Sequence, residues 1–163
     1  MGTRHGLTLA MAGLFVAIAA CGDDDDDGTN PATDFDASLS GAEEDPPVTT
    51  SATGSATVSI EADQIVYHVE TTDLENVLVS HIHVQEPGAT TGPVRMNLCG
   101  IGLTDVPVCA TGDGVLVDGS NDVTQGGISF DSLVSAIRAG NAYVNVHTTQ
   151  NQNGEIRGQL EPQ

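Results

Sequence analysis

From Asp34 onward, apolar and polar residues alternate in short runs, and the runs are broken by Gly, Pro, Asn and Asp. Alternation with period two belongs to strands with one buried face, and many short strands between turn residues build an all-β sandwich or barrel. The pattern predicts roughly eight strands, with candidates over 35–40, 54–60, 64–71, 77–84, 94–98, 123–128, 143–149 and 155–160 and a weaker stretch over 114–117. Over 64–71, Ile65, Tyr67 and Val69 point one way and Val66, His68 and Glu70 the other, so the odd positions are the expected core face and His68 an exposed bystander. One short helix interrupts the strands near 131–139. Leu133, Val134 and Ile137 recur there at helical spacing, Asp131 or Ser132 can cap the start, Arg138 sits in the last turn and Gly140 stops it.

The last two strands can be registered by arithmetic. Tyr143, Asn145, His147 and Thr149 share one face of the first, and Glu155, Arg157 and Gln159 one face of the second. A loop over 150–154 would set Thr149 opposite Glu155, His147 opposite Arg157 and Asn145 opposite Gln159, giving one polar face. Over 77–84, Val79, His81 and His83 lie on one side and Leu78, Ile82 and Val84 on the other. If that strand neighbours the one carrying His147, the three imidazoles meet.

The start of the chain follows different rules. Arg4 and His5 precede an apolar run from Leu7 to Ala20, too short for a spanning helix and suited to a signal peptide. Ile18-Ala19-Ala20-Cys21 has the look of a bacterial lipobox, so residues 1–20 are expected to be removed and Cys21 to be lipidated. Residues 21–33 then form an acidic tether, with Asp23 to Asp27 repelling one another and holding the domain off the membrane. Calcium binding there would be the rival, but the run has no EF-hand spacing. These features predict an extracytoplasmic protein anchored to a bacterial cell membrane, at the outer membrane or cell surface.

Length allows one folded domain, expected over 34–161, and charge narrows its partners. The chain has 163 residues and a formal charge of -19; without Arg4, 23 acids face three arginines, or -20, and there is no lysine. Nucleic acid and anionic lipid head groups are therefore excluded as favourable partners, leaving an unknown protein or small ligand. Apart from Cys21 the cysteines are Cys99 and Cys109. An even pair in an oxidising compartment reads as a disulfide; a thiolate metal site is the alternative, unsupported by any C-x-x-C spacing.

Ordered motifs place these segments in a known context. Leu39 to Val48 (LSGAEEDPPV), Gly54-Ser55-Ala56, His81-Ile82-His83 with Gly88 and Gly92-Pro93-Val94, Leu133 to Gly140, Tyr143 to Thr148 and Gly154 to Leu160 together resemble the CHRD domain, a module repeated in animal chordin and found in bacterial secreted proteins. The resemblance covers about Phe35 to Leu160 and departs from the family over 98–117, where the two cysteines sit. It implies an extracellular Greek-key-like antiparallel fold, immunoglobulin-like or superoxide-dismutase-like, without established enzymatic activity. The growth-factor partners of chordin do not carry over, because fold alone does not transmit function.

Two functional readings remain. No P-loop, dinucleotide fingerprint or nucleophile elbow is present, so a non-catalytic binding or scaffold module is the first. The second is a copper or zinc site at His81, His83 and His147, with Glu155 or Glu43 as a carboxylate ligand and Asn145, Arg157 and Gln159 as its polar surroundings. His-x-His on a strand resembles the copper ligands of Cu/Zn superoxide dismutase, although that enzyme uses more histidines than this domain has. On this register Arg157 would lie beside His147 and oppose its protonation.

Overall fold

The computed structural model describes residues 31–163 together with Met1 and Gly2. The expected signal segment, Cys21 and the Asp23 to Asp27 run fall outside the described residues. Among the described residues, nine strands and one helix follow in order: β1 (Asp34–Ser40), β2 (Thr53–Ile60), β3 (Ile65–Thr72), β4 (Val77–Val84), β5 (Val94–Gly100), β6 (Gly114–Asn121), α1 (Phe130–Arg138), β7 (Ala142–Thr148), β8 (Ile156–Gln159) and β9 (Glu161–Pro162). A single 3₁₀ turn, Gly41–Glu43, follows β1. Among the described residues no helix is long and apolar enough to cross a membrane.

The strands pair antiparallel in the order β5-β4-β7-β8-β1-β2-β3-β6, with β9 extending the β8 side against β1. The sheet curls into a barrel whose seam lies between its two end strands, β5 and β6. Side chains stitch that seam: the Tyr67 hydroxyl donates to the Leu98 carbonyl at 2.9 Å, and Asn121 Nδ2 donates to the Asn97 carbonyl at 3.0 Å. Edge carbonyls that would otherwise lack partners are thereby satisfied. The alternation read from the sequence is realised inside, where Ile65, Tyr67 and Val69 are buried beside Phe35, Ile82 and Val144. His68 stays outside, flanked by Glu70 at 3.4 Å and Asp118 at 3.8 Å. Leu133 and Ile137 of α1 pack into the same core.

Three expectations need correction. Residues 123–128 do not form a strand: one bridge joins Thr124 to Met96, and Gly126 and Gly127 adopt φ of 66° and 75°, which turns the chain toward α1 instead of extending it. The weak stretch at 114–117 is instead a full strand running to Asn121 along β3. The helix is capped earlier than expected, by Ser129, whose hydroxyl accepts from the Ser132 N–H at 3.1 Å. The sulfurs of Cys99 and Cys109 are bonded, with Cα atoms 4.9 Å apart, so the disulfide reading holds over the thiolate-metal alternative.

Candidate metal centre

Strand β4 lies directly against β7, pairing Val79 with His147, His81 with Asn145 and His83 with Tyr143. This adjacency brings His81, His83 and His147 onto one face of the sheet, outside the barrel core. One ring nitrogen of each lies within 4.8 Å of one from each of the others. The ring centroids form a near-equilateral triangle with sides of 5.7, 5.1 and 5.8 Å. A metal about 2.0 Å from three coplanar nitrogens would set the centroids of its imidazoles about 5.4 Å apart. The centroids stand near that spacing, while the nitrogens, within 4.8 Å of one another, would have to close to about 3.5 Å around such a metal.

Backbone carbonyls decide which nitrogens face the centre. His83 Nδ1 lies 2.9 Å from the Gly92 carbonyl and His147 Nδ1 lies 3.0 Å from the Gln152 carbonyl. A carbonyl can only accept, so both Nδ1 atoms carry the proton and both Nε2 atoms present a bare lone pair. Those two Nε2 atoms and His81 Nδ1 are buried without any hydrogen-bond partner. An orphaned buried polar atom costs about 1–3 kcal/mol, and one on each ring of the cluster calls for a common partner. Carbonyl-fixed imidazoles are also the usual outer support of a metal ligand.

Electrostatics keep the rings neutral. Burial, reinforced by the neighbouring His147 and His83 and weakly opposed by Asp105, pushes His81 down to about 3. Burial likewise takes His83 to about 4; the Gly92 hydrogen bond opposes the fall, while His147 and Arg157 add to it. His147 is lowered by burial against the pull of its bond to Gln152. Arg157 therefore acts on His83, not on His147 as the expected register implied.

The reason is a slip of two residues in the last hairpin. Asn145 faces Arg157 and Tyr143 faces Gln159, because Thr148 and Gly154 both bond to the Asn151 carbonyl and lengthen the loop. A slip of two leaves every side chain on its expected face but changes its neighbours. The Arg157 guanidinium sits 3.9 Å above the Tyr143 ring, which in turn stacks on His83 at 4.9 Å. Asn145 is buried beside the centre, whereas Gln159 uses its amide on the carbonyls of Gly140 and Ala142.

Neither carboxylate expected as a ligand joins the histidines. Glu155 accepts from the Thr50 hydroxyl at 2.8 Å and the Thr148 hydroxyl at 2.6 Å. Burial pushes its carboxyl up, but hydrogen bonds from Thr148, Asn151 and Thr50 outweigh that and hold it below the usual range. Glu43 is exposed and lines a surface groove with Asp36 and Gln159. The nearby acid is Glu44, which accepts from Asn145 Nδ2 at 3.3 Å. Burial raises it to about 7, against the lowering influence of Arg157 and Asn145. Sequence reading also missed Tyr143 and Gly92: the Tyr143 hydroxyl accepts from the Gly92 N–H at 3.2 Å, and a Cβ on Gly92 would overlap the Val84 carbonyl. A cleft of about 230 Å³ lies between residues 44–48 and 150–154, lined in part by Glu44 and Gln152.

The family model described as the CHRD domain matches residues 35–160. The chain belongs to the CHRD domain family. Comparison with curated proteins and with solved structures gives no match. The match to the CHRD domain spans the barrel from β1 to the residue after β8, so every histidine of the centre lies inside it. It also includes the Cys99–Cys109 loop.

Proposed function

We propose that this CHRD domain is a non-catalytic binding module whose ligand is a single transition-metal ion, copper or zinc, held by His81, His83 and His147. The observation that carries the reading is the set of three buried ring nitrogens without partners, two of them in a tautomer fixed by carbonyls. Imidazole donors suit both metals. A formal charge of -19 favours the approach of a cation and disfavours an anionic substrate such as superoxide, which weighs against dismutase chemistry. The proposal includes attachment to the cell envelope through lipid on Cys21, supported by the residues around that cysteine. Mass spectrometry of the native amino terminus tests the anchor, and an unmodified Cys21 refutes it.

Titration calorimetry of the untagged chain with copper and zinc tests the metal. One ion per chain is expected, with binding lost in His83→Ala. Equal heats from wild type and variant, or none from either, would leave the bare scaffold reading that family membership supports.

A further inference from the structure

We infer that the ion is monovalent copper, held by three nitrogens and nothing else. This rests on the metal reading above and narrows it from a class of ions to one.

Coordination number is the first argument. The three unpartnered nitrogens are sealed from solvent, so a bound ion, smaller than a water molecule, could reach them where water does not. Zinc in proteins completes four positions, with a fourth side chain or with water, and cupric ion favours tetragonal surroundings. Neither completion is on hand. The ligating group comprises only His81, His83 and His147 among the described residues. The Glu155 carboxylate is committed to Thr50 and Thr148; Glu44 accepts from Asn145 through Oε2, and its partnerless Oε1 lies outside the histidine group. Both sulfurs of Cys99 and Cys109 are in a disulfide, and Met96 is fully buried in the apolar core. A closed d¹⁰ ion with one charge tolerates three-coordination that divalent ions resist.

Charge is the second argument, and it is independent of the first. Neutral imidazoles bring no compensating charge, and the cost of burying an ion rises with the square of its charge. The Arg157 guanidinium stands behind Tyr143, which stacks on His83, and it forms no ion pair among the described residues. Two acids act in the other direction. Asp105 is held by Asn97 Nδ2 at 2.9 Å and Gln125 Nε2 at 3.3 Å, and Glu44 stands beyond Asn145. Neither joins the ligand set, so a divalent ion would keep both charges uncompensated in its own shell.

The test compares ions on the unaltered full chain, so a folding defect in a variant cannot imitate either result. Under oxygen-free conditions, copper(I) is titrated against bicinchoninate, and zinc(II) and copper(II) against chelators of known affinity. X-ray absorption of the copper-loaded protein then counts the ligands. The expected result is one copper(I) per chain, bound at least about 100-fold more tightly than zinc, with three nitrogen neighbours near 2.0 Å and no oxygen. Zinc or copper(II) bound as tightly as copper(I), or a solvent oxygen in the copper shell, overturns the inference while leaving the metal site standing. No binding of any of the three ions removes both.

Discussion

At the scale of single residues, the centre depends on groups that carry no metal themselves. Tyr143 is the clearest case. Its hydroxyl joins Gly92 by the N–H at 3.2 Å and reaches the carbonyl at 3.4 Å, and that same carbonyl fixes His83 Nδ1 at 2.9 Å. Tyr143→Phe keeps the stacking on His83 and removes only the link to the loop. Such outer supports are worth about 10–100-fold in metal affinity, so a loss near the lower figure is expected, with about 1 kcal/mol of stability. Competition titration and urea unfolding of the same preparation check the two numbers; an unchanged affinity would show that Gly92 is held in place without Tyr143. Gly92→Ala should be harsher, since the added Cβ would run into the Val84 carbonyl. Much of this was not legible in the sequence for a plain reason: the Gly92 and Gln152 carbonyls are main-chain atoms, and no side-chain pattern reports them. Glu44 was hidden differently, because three acids stand in a row at Glu43, Glu44 and Asp45 and only packing distinguishes the buried one.

Elements were easier to read than their partners. Period-two alternation placed β3 with its core face, and the helical spacing of Leu133, Val134 and Ile137 placed α1, because both signals lie within one element. The β4–β7 adjacency is a contact between segments about sixty residues apart in sequence, and alternation looks the same whichever strand lies alongside. The hairpin register went wrong by two because the Asn151 carbonyl takes two loop N–H groups, a turn detail that side-chain parity cannot detect. The candidate histidines survived that error, since an even slip preserves faces, and the error displaced Glu155, Arg157 and Gln159 along the strand. The Cys99–Cys109 link belongs to this scale too. It closes a loop with a sequence separation of 10 at the end of β5, where Cys99 pairs with Ser80 and is buried in the apolar core. Replacing both cysteines with serine is expected to lower stability by about 2–3 kcal/mol on the chain-entropy account while leaving metal affinity unchanged. Chemical denaturation paired with metal titration checks this; a lost metal site would mean that the loop positions β4 through β5. Ser129→Ala, which removes the helix cap, should cost about 1 kcal/mol by the same measurement.

For the whole molecule, the buried centre makes stability depend on pH in two opposed ways. His81, His83 and His147 all have folded values below 6.5, reaching about 3 and about 4 for the first two. The unfolded chain therefore binds protons that the fold refuses, so their contribution is present above pH 6.5 and is lost as pH falls toward 3. Glu44 has the reverse sign: its folded value of about 7 exceeds the ordinary 4.5, so the fold binds its proton more tightly and loses stability as pH rises from 4.5 to 7. From 4.5 to 6.5 the slopes oppose, but three histidines outweigh one carboxyl, so the metal-free protein is expected to gain stability up to about pH 7, along a steep acid limb below about pH 4.5 and a shallower rise above it. Glu44→Gln separates the contributions. It retains an acceptor for Asn145 Nδ2 but never ionises, so the opposing slope should vanish and the rise between 4.5 and about 7 should steepen. The variant should then exceed wild type at about pH 8 by roughly 2–3 kcal/mol, because each tenfold gain in proton affinity on folding is worth about 1.36 kcal/mol and some of it is screened by solvent. The acid limb, which belongs to the histidines, should be unchanged. Urea midpoints of both proteins across the range from about pH 3 to 9 make the comparison; a rise above 4.5 no steeper in Glu44→Gln than in wild type would show that Glu44 ionises as freely in the fold as outside it.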